Sequence, residues 1–305
     1  MLDYASLSAL AAVVREGSFE RAAAALHVTP SAVSQRIRLL EERMGCALVV
    51  RGQPCQATET GRRLCQHVDR VRLLEHELNG EVPALGQNGG TRVPFPIAVN
   101  ADSLATWFAP AVASFAATAP VLMAVAVDDQ DYTSEWLRSG QVLAAVTGTA
   151  RAATGCNSRS LGAMRYLAAA NPAFVERFFA QGVNTNSLAL APSLVFNTKD
   201  ELQSRWVRQQ YRRHVELPRH TLPSPQAFVA AALAGMGWGL HPELLISHHL
   251  KSGALLELVP DTPLDVPLYW QQARAASSLL EGLSREVHAA ARTALLQQEP
   301  GAEPM

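Results

Sequence analysis

The stretch TPSAVSQRIRLLEERMG, Thr29 to Gly45, carries its own start and stop signals. A threonine hydroxyl can accept the free N–H groups of a helix's first turn, and a proline at the next position loses nothing there. Gly45 suits the left-handed residue that ends a helix. Between them Val33, Ile37, Leu40 and Met44 recur at helical spacing and form an inner stripe. Ser34, Gln35, Arg36 and Arg38 lie off that stripe. Upstream, SLSALAAVVREG places Leu7, Leu10, Ala11 and Val14 on one face and stops at Gly17. Ser18 then caps the short alanine-rich helix FERAAAAL. Arg21 stands at its third position, so this is a simple cap and not a capping box. His27 and Val28 break the pattern before Thr29. Two short helices, a brief turn and a third helix with a polar, basic outer face spell a helix-turn-helix. Spacing alone also admits an ordinary helical bundle with a solvated basic face.

Downstream, ALVVRGQPCQATETG holds two short extended pieces about a Gly-Gln-Pro turn and reads as a two-stranded wing. Thr58 is placed to cap the helix that follows. In it Leu64, Val68, Val71 and Leu78 keep a three-four spacing that Glu75 interrupts. A narrow apolar seam on a long helix outside a compact core pairs with a copy of itself. The competing reading is one more helix packed on the same domain. After Gly80, EVPALGQNGGTRVPFP is rich in Gly and Pro and reads as a linker. The expected organisation is a winged helix-turn-helix over residues 1–58, a dimerising helix over 59–80 and a linker over 81–92.

With 305 residues, 48% of them hydrophobic, the chain can bury two or three cores. A net charge of −1 gives no global attraction to nucleic acid, so local distribution matters more. Between Ser31 and Arg63 the cations are Arg36, Arg38, Arg43, Arg51, Arg62 and Arg63, against Glu41, Glu42 and Glu59. Lysine occurs only at 199 and 251; arginine is the cation suited to planar contacts with phosphate and guanine. Apolar runs break off well short of a membrane span, and no secretion signal opens the chain, so a cytoplasmic protein with no membrane partner is expected. Cys46, Cys55, Cys65 and Cys156 lack metal-ligand spacing and read as reduced thiols, with a redox sensor as the alternative.

AALHVTPSAVSQRIRLLEERMGCALVVR followed by TETG resembles the N-terminal domain of LysR-type transcriptional regulators. The resemblance spans about ninety residues. It implies a homodimer or homotetramer on a double-stranded DNA operator, with RNA polymerase as a further partner. By the same resemblance the residues facing DNA are Thr29, Pro30, Ser31, Ser34, Gln35, Arg36, Arg38, Arg51 and Thr58. Many relatives carry glutamine where this chain has Pro30, which offers no side-chain donor and weakens or rearranges base reading at that step. PIAVNADSLATWFAPAV resembles a narrower group, the ArgP/LysG subgroup. That likeness implies sensing of lysine or arginine and control of basic amino-acid export. Inhibition of replication initiation is a role also described for that group.

The remainder alternates strand and helix: PFPIAVN, ADSLATWFAPAVASFAAT, VLMAVAVDD, SEWLRSGQ, VLAAVTG. This is the pattern of an α/β layer with a parallel core sheet. A second cycle starts near Arg165 and runs to Val266, and PLYWQQ returns to the first lobe. The expected sensor is two-lobed α/β, like a periplasmic binding protein, with lobe I over 93–163 and 267–296 and lobe II over 164–266. Its cleft binds at the carboxyl ends of strands. Asn100, Asp102 and Ser103 follow the first strand; Asp128, Asp129 and Asp131 the second; Thr147 the third. Ser224 can cap a helix of the other lobe. Ser103, Thr147 and Ser224 are suited to an amino acid's carboxylate, and the acids at 102, 128 and 129 to its cation. Plain caps and a solvated acidic turn are the alternative for each. GxSxG, HExxH and GxxxxGK[ST] patterns do not occur. No nucleophile or acid–base pair emerges either, so a regulator rather than an enzyme is expected, with no cofactor and no metal. The rivals are an amino-acid enzyme, a sequence-tolerant chromosome-binding protein, and a regulator of the same family with a different ligand.

Overall fold

The computed structural model describes residues 3–81, 93–119, 121–128, 133–138 and 141–297. The chain divides into two compact units, Met1–Val93 and Pro94–Met305.

Three helices open the first unit: α1 (Tyr4–Glu16), α2 (Phe19–Ala25) and α3 (Pro30–Met44). Each begins on a side-chain cap. Asp3 accepts from the N–H groups of Ala5 and Ser6, Ser18 from Arg21, and Thr29 from Ala32. Gly17 and Gly45 end α1 and α3 with φ of 69° and 68°. Leu7, Leu10, Val13, Val33, Ile37 and Leu40 interlock as the core. β1 (Val49–Val50) pairs antiparallel with β2 (Gln56–Ala57), making the wing. Glu41 ties it to α3, its carboxylate accepting from the N–H groups of Leu48 at 2.8 Å and Val49 at 3.3 Å.

The helix after the wing, α4 (Glu59–Glu81), corrects the expected seam. Val68 is 2% exposed and belongs to the unit's own core, with Leu64 and Cys65 packed against it. The first half of the stripe is therefore covered by α1 and not left for a second chain. Leu74 and Leu78 further along are 50% and 48% exposed.

A seven-stranded sheet organises the second unit, with path β10-β6-β11-β5-β3-β4 and β9 joined to β6. These strands are β3 (Val93–Asn100), β4 (Val121–Asp128), β5 (Ala144–Thr147), β6 (Cys156–Ala170), β9 (Gly239–Pro242), β10 (Leu256–Glu257) and β11 (Leu264–Ala273). β3 and β5 run parallel, but β11 is antiparallel to both β5 and β6. The sheet is thus mixed and not the parallel sheet that the alternation suggests, because a strand returning from the far lobe reverses direction. β6 and β11 cross together from lobe to lobe, clamped by the two-pronged Arg165–Asp265 pair at 2.9 Å and bulged opposite Leu268 and Tyr269. Lobe II adds β7 (Ser193–Val195) and β8 (Arg219–Thr221), paired in parallel, and a core in which the rings of Trp206 and Trp238 lie 5.6 Å apart. In lobe I a continuous helical run follows β3: α5 (Ala101–Ser103), a π turn over Leu104–Phe108, and α6 (Ala109–Thr118). Pro110 cannot donate a backbone hydrogen bond into that run, and the turn ahead of it widens. Among the described residues no helix is long and apolar enough to cross a membrane.

Candidate DNA-reading face and effector cleft

The face of α3 opposite Val33, Ile37 and Leu40 presents Ser31, Gln35 and Arg38 to solvent, with Ser34 and Arg36 half-buried at its margins. Pro30 occupies the first turn, exposed. The Thr29 hydroxyl is engaged with the Ala32 N–H at 3.2 Å and shares a hydrogen with Ser31 at 3.0 Å. Arg38 is paired along the helix with Glu42 at 2.8 Å, both exposed. Such a pair contributes little to stability and can exchange its carboxylate for a phosphate. Arg51, exposed at the end of β1, lies over the Phe19 ring at 5.4 Å, which steadies its planar head. Thr58 is more committed. Its hydroxyl donates to the Ala47 carbonyl at 2.9 Å and accepts from the Gly61 N–H at 3.1 Å. The single proton of that hydroxyl is spent inside the protein, so in this structure Thr58 is a joint between wing and α4. Burial pushes the Cys65 thiol up to about 11, which leaves it protonated and unreactive at neutral pH.

In the second unit a small cleft, partly open to solvent, lies between the helical start after β3 and lobe II. Ala101 and Asp102 form the lobe I wall; Phe196, Asp200, Phe228 and His241 contribute to the other. Tyr166 of β6 donates its hydroxyl to Asp102 at 2.8 Å and so fixes one carboxylate oxygen. Asn100 ends β3, and the parallel register of Ile97 with Ala144 sets it level with Thr147. Asn100 is 1% exposed and neither end of its amide is hydrogen-bonded. Ser103 and Thr147 have no exposed surface. The Ser103 hydroxyl accepts from the Trp107 indole at 3.1 Å, and that of Thr147 reaches the Thr149 carbonyl at 3.2 Å. Ser224 caps α7 (Pro225–Leu233) by accepting from Ala227 at 3.3 Å. Pro225 and Phe228 of that helix reach the cleft. Asp128 closes β4, the neighbour of β3, and Asp129 and Asp131 lie outside the described residues.

Three participants carry no signal that sequence reading could use. Tyr166 meets Asp102 from 64 positions away. Asp200 is 6% exposed and accepts from Phe196 at 2.8 Å and Leu202 at 3.0 Å. Burial raises its carboxyl above the usual range. His241, on β9, is fully buried. Among the described residues no three His, Cys, Asp or Glu side chains gather as metal ligands.

Two family descriptions match the chain: a bacterial regulatory helix-turn-helix protein of the lysR family over residues 4–62, and a LysR substrate-binding domain over residues 89–292. The regulator ArgP of Pseudomonas fluorescens is 46% identical over 289 residues, 94% of this chain and 96% of the relative. Among solved structures, ArgP from Mycobacterium tuberculosis is 43% identical, covers 98% of this chain and all of its own, and superposes with a TM-score of 0.81. Full-length LysG from Corynebacterium glutamicum with the effector Arg bound is 35% identical, covers 97% of this chain and all of its own, and has a TM-score of 0.69.

Proposed function

The chain belongs to the LysR family of bacterial DNA-binding transcription regulators, and from that premise we propose that it senses lysine or arginine and controls basic amino-acid export. The observation that carries the sensing is Asp102: a carboxylate at the start of a helical run, steadied by Tyr166, lining a cleft whose other wall is lobe II. Lysine and arginine each bring two cationic groups. Asp102 takes one, and the second falls to the acids that follow β4 in the sequence, Asp128 and Asp129. Ser103, Thr147 and Ser224, the last at the start of α7, take the carboxylate of the amino acid, with Asn100 beside them at the end of β3. A solved relative with Arg bound as effector supports this reading.

On DNA, Ser31, Ser34 and Gln35 read base edges, while Arg36, Arg38 and Arg51 take phosphates, with Thr29 and Pro30 shaping the approach of the helix. Thr58 serves by anchoring the wing. The protein acts in the cytoplasm as a homodimer or homotetramer on a double-stranded operator and meets RNA polymerase there.

One titration tests both halves: binding to the DNA upstream of a basic amino-acid exporter and to a scrambled duplex, with lysine, arginine or norleucine added. The exporter DNA should bind ~10³-fold tighter or more, and lysine or arginine should shift that binding where norleucine does not. Gln35→Ala should narrow the preference, a good base contact being worth ~1–3 kcal/mol. Arg51→Ala should weaken both duplexes alike and flatten the salt slope by ~1. Equal binding to both duplexes would remove the sequence-reading role. Norleucine acting like lysine would remove the acidic pocket.

A further inference from the structure

The two lobes are joined by β6 and β11, and the support of these strands changes along their length. On the lobe I side residues 269–272 of β11 also pair with β5. On the lobe II side residues 166–169 of β6 also pair with β9. Between these points residues 161–165 of β6 and 265–268 of β11 run as a two-stranded ribbon. Two-stranded ribbons twist more than wide sheets, and a bulge bends the strand that carries it. The bulge lies in this ribbon: Gly162 faces Leu268 and Ser160 faces Tyr269, so Leu161 has no opposite number. Motion between the lobes concentrates in the stretch with the fewest neighbours.

Among the described residues one further piece of extended backbone pairs with the ribbon, the chain's last described stretch. The last helix, α8 (Glu281–Ala294), is rooted in lobe I. Its Leu283, Val287 and Ala291 are buried, and its Glu286 accepts from Ser114 of α6 at 2.8 Å. Beyond it Leu296 pairs antiparallel with Ala163. The Ala163 N–H donates to the Leu296 carbonyl at 2.8 Å, and the Leu296 N–H to the Ala163 carbonyl at 2.9 Å. The Gln297 amide nitrogen lies 3.2 Å from the carbonyl of Leu161, the bulge residue, and 3.2 and 3.1 Å from those of Ala291 and Leu295. One side chain thus ties the bulge to the end of α8. Gly162 makes room for the crossing. Its φ is 110°, and a Cβ there would stand 2.5 Å from the Leu296 carbonyl oxygen.

We propose that Leu296 and Gln297 form a strap that sets the stiffness of the hinge between the lobes, and through it the readiness of the cleft to close on its effector. With the strap docked, the ribbon gains a third strand from the lobe I side. Bending is then confined to the stretch beyond Ala163, which the Arg165–Asp265 pair spans. With the strap removed, the lobes sample more arrangements, and a ligand that touches both must order them on binding. The effect on binding rests on the reading of the cleft as the effector site; the strap itself does not.

Two shortened chains test this. One ends at Gln297 and keeps the strap; the other ends at Leu295 and lacks it, with α8 retained. In the second, the ribbon should exchange its amide hydrogens about tenfold faster, while β3 keeps its protection, which separates local loosening from unfolding. Lysine affinity, by calorimetry on the same chains, should fall about two- to thirtyfold in the second. The first chain should match the full-length protein in both measurements. Gln297→Ala in the full-length chain should move both in the same direction by less, and carries the test if the shorter chain does not fold. Unchanged exchange in the ribbon would overturn the strap. A loosened ribbon with unchanged lysine affinity would overturn its link to the cleft. A folded full-length chain that binds neither lysine nor arginine would overturn the reading of the cleft and that link with it, while exchange alone still decides the strap.

Discussion

At the scale of single residues, His241 gives the chain an acid liability whatever it binds. Its pKa is about 3 in the folded chain against an ordinary value of 6.5. Between those two values the unfolded chain holds a proton that the folded chain refuses. Stability therefore rises with pH across that window and falls on acidification from about 6.5 towards 3. His288, half-buried near Arg159 and Arg292, is lowered in the same direction, first by burial and then by the two arginines. Asp200 works the other way, since burial makes its carboxyl easier to protonate in the folded state. One strongly lowered histidine is worth about 1.4 kcal/mol per pH unit. On going from pH 7 to pH 5 the wild-type chain should thus lose about 2 kcal/mol more than His241→Leu, measured by urea unfolding. The same loss in both would mean that the ring is solvated in solution. Asp102 shows what sequence reading could reach: a carboxylate just after a strand and at a helical start is visible as a pattern. Tyr166, Asp200 and His241 are not, because contact between segments distant in sequence brings Tyr166 to Asp102 and the other two to the cleft, and no local periodicity announces it.

Among elements, the join between wing and α4 shows why a short motif needs its residue types. The Leu48 carbonyl accepts the Thr58 N–H at 3.0 Å, and the backbone of Gly61 passes directly over that carbonyl. A Cβ at position 61 would collide with the Leu48 carbonyl oxygen, a backbone atom that no rotamer change can move. Gly61→Ala should therefore cost about 1–3 kcal/mol in the first unit and shift the wing, lowering affinity for every DNA sequence. Denaturant unfolding alongside DNA titration checks this; an unchanged midpoint with unchanged affinity would refute it. The caps at Ser18 and Thr29, the stop at Gly45 and the wing were all readable beforehand, since each depends on neighbours within a few residues. Glu41 was readable only as a charge, whereas it clasps the N–H groups of Leu48 and Val49. The direction of β11 likewise follows from how the chain crosses between lobes, which hydrophobic runs do not encode.

On the scale of the whole molecule, the stripe along α4 divides between two tasks. A helical period states that an apolar face exists and is silent on what covers it. Here α1 covers Leu64 and Val68, while Leu74 and Leu78, one turn apart, stay about half exposed. Neighbours at this spacing share a face, and a long helix with such a face in water pairs with another copy. Leu74→Asp with Leu78→Asp should then give a monomer by sedimentation, with the fold of the first unit intact because neither residue is in its core. Val68→Asp is the contrasting variant: it buries a charge in that core and should unfold the unit. The consequence for DNA follows from linkage between two half-sites. Joining two binding modules raises overall affinity by ~10²–10⁴ without any new contact. The double variant should lose that factor on a two-half-site operator while binding an isolated half-site as the wild type does. If sedimentation shows the double variant still assembled, Leu74 and Leu78 lie outside the interface, and the contact between copies must be sought on the second unit.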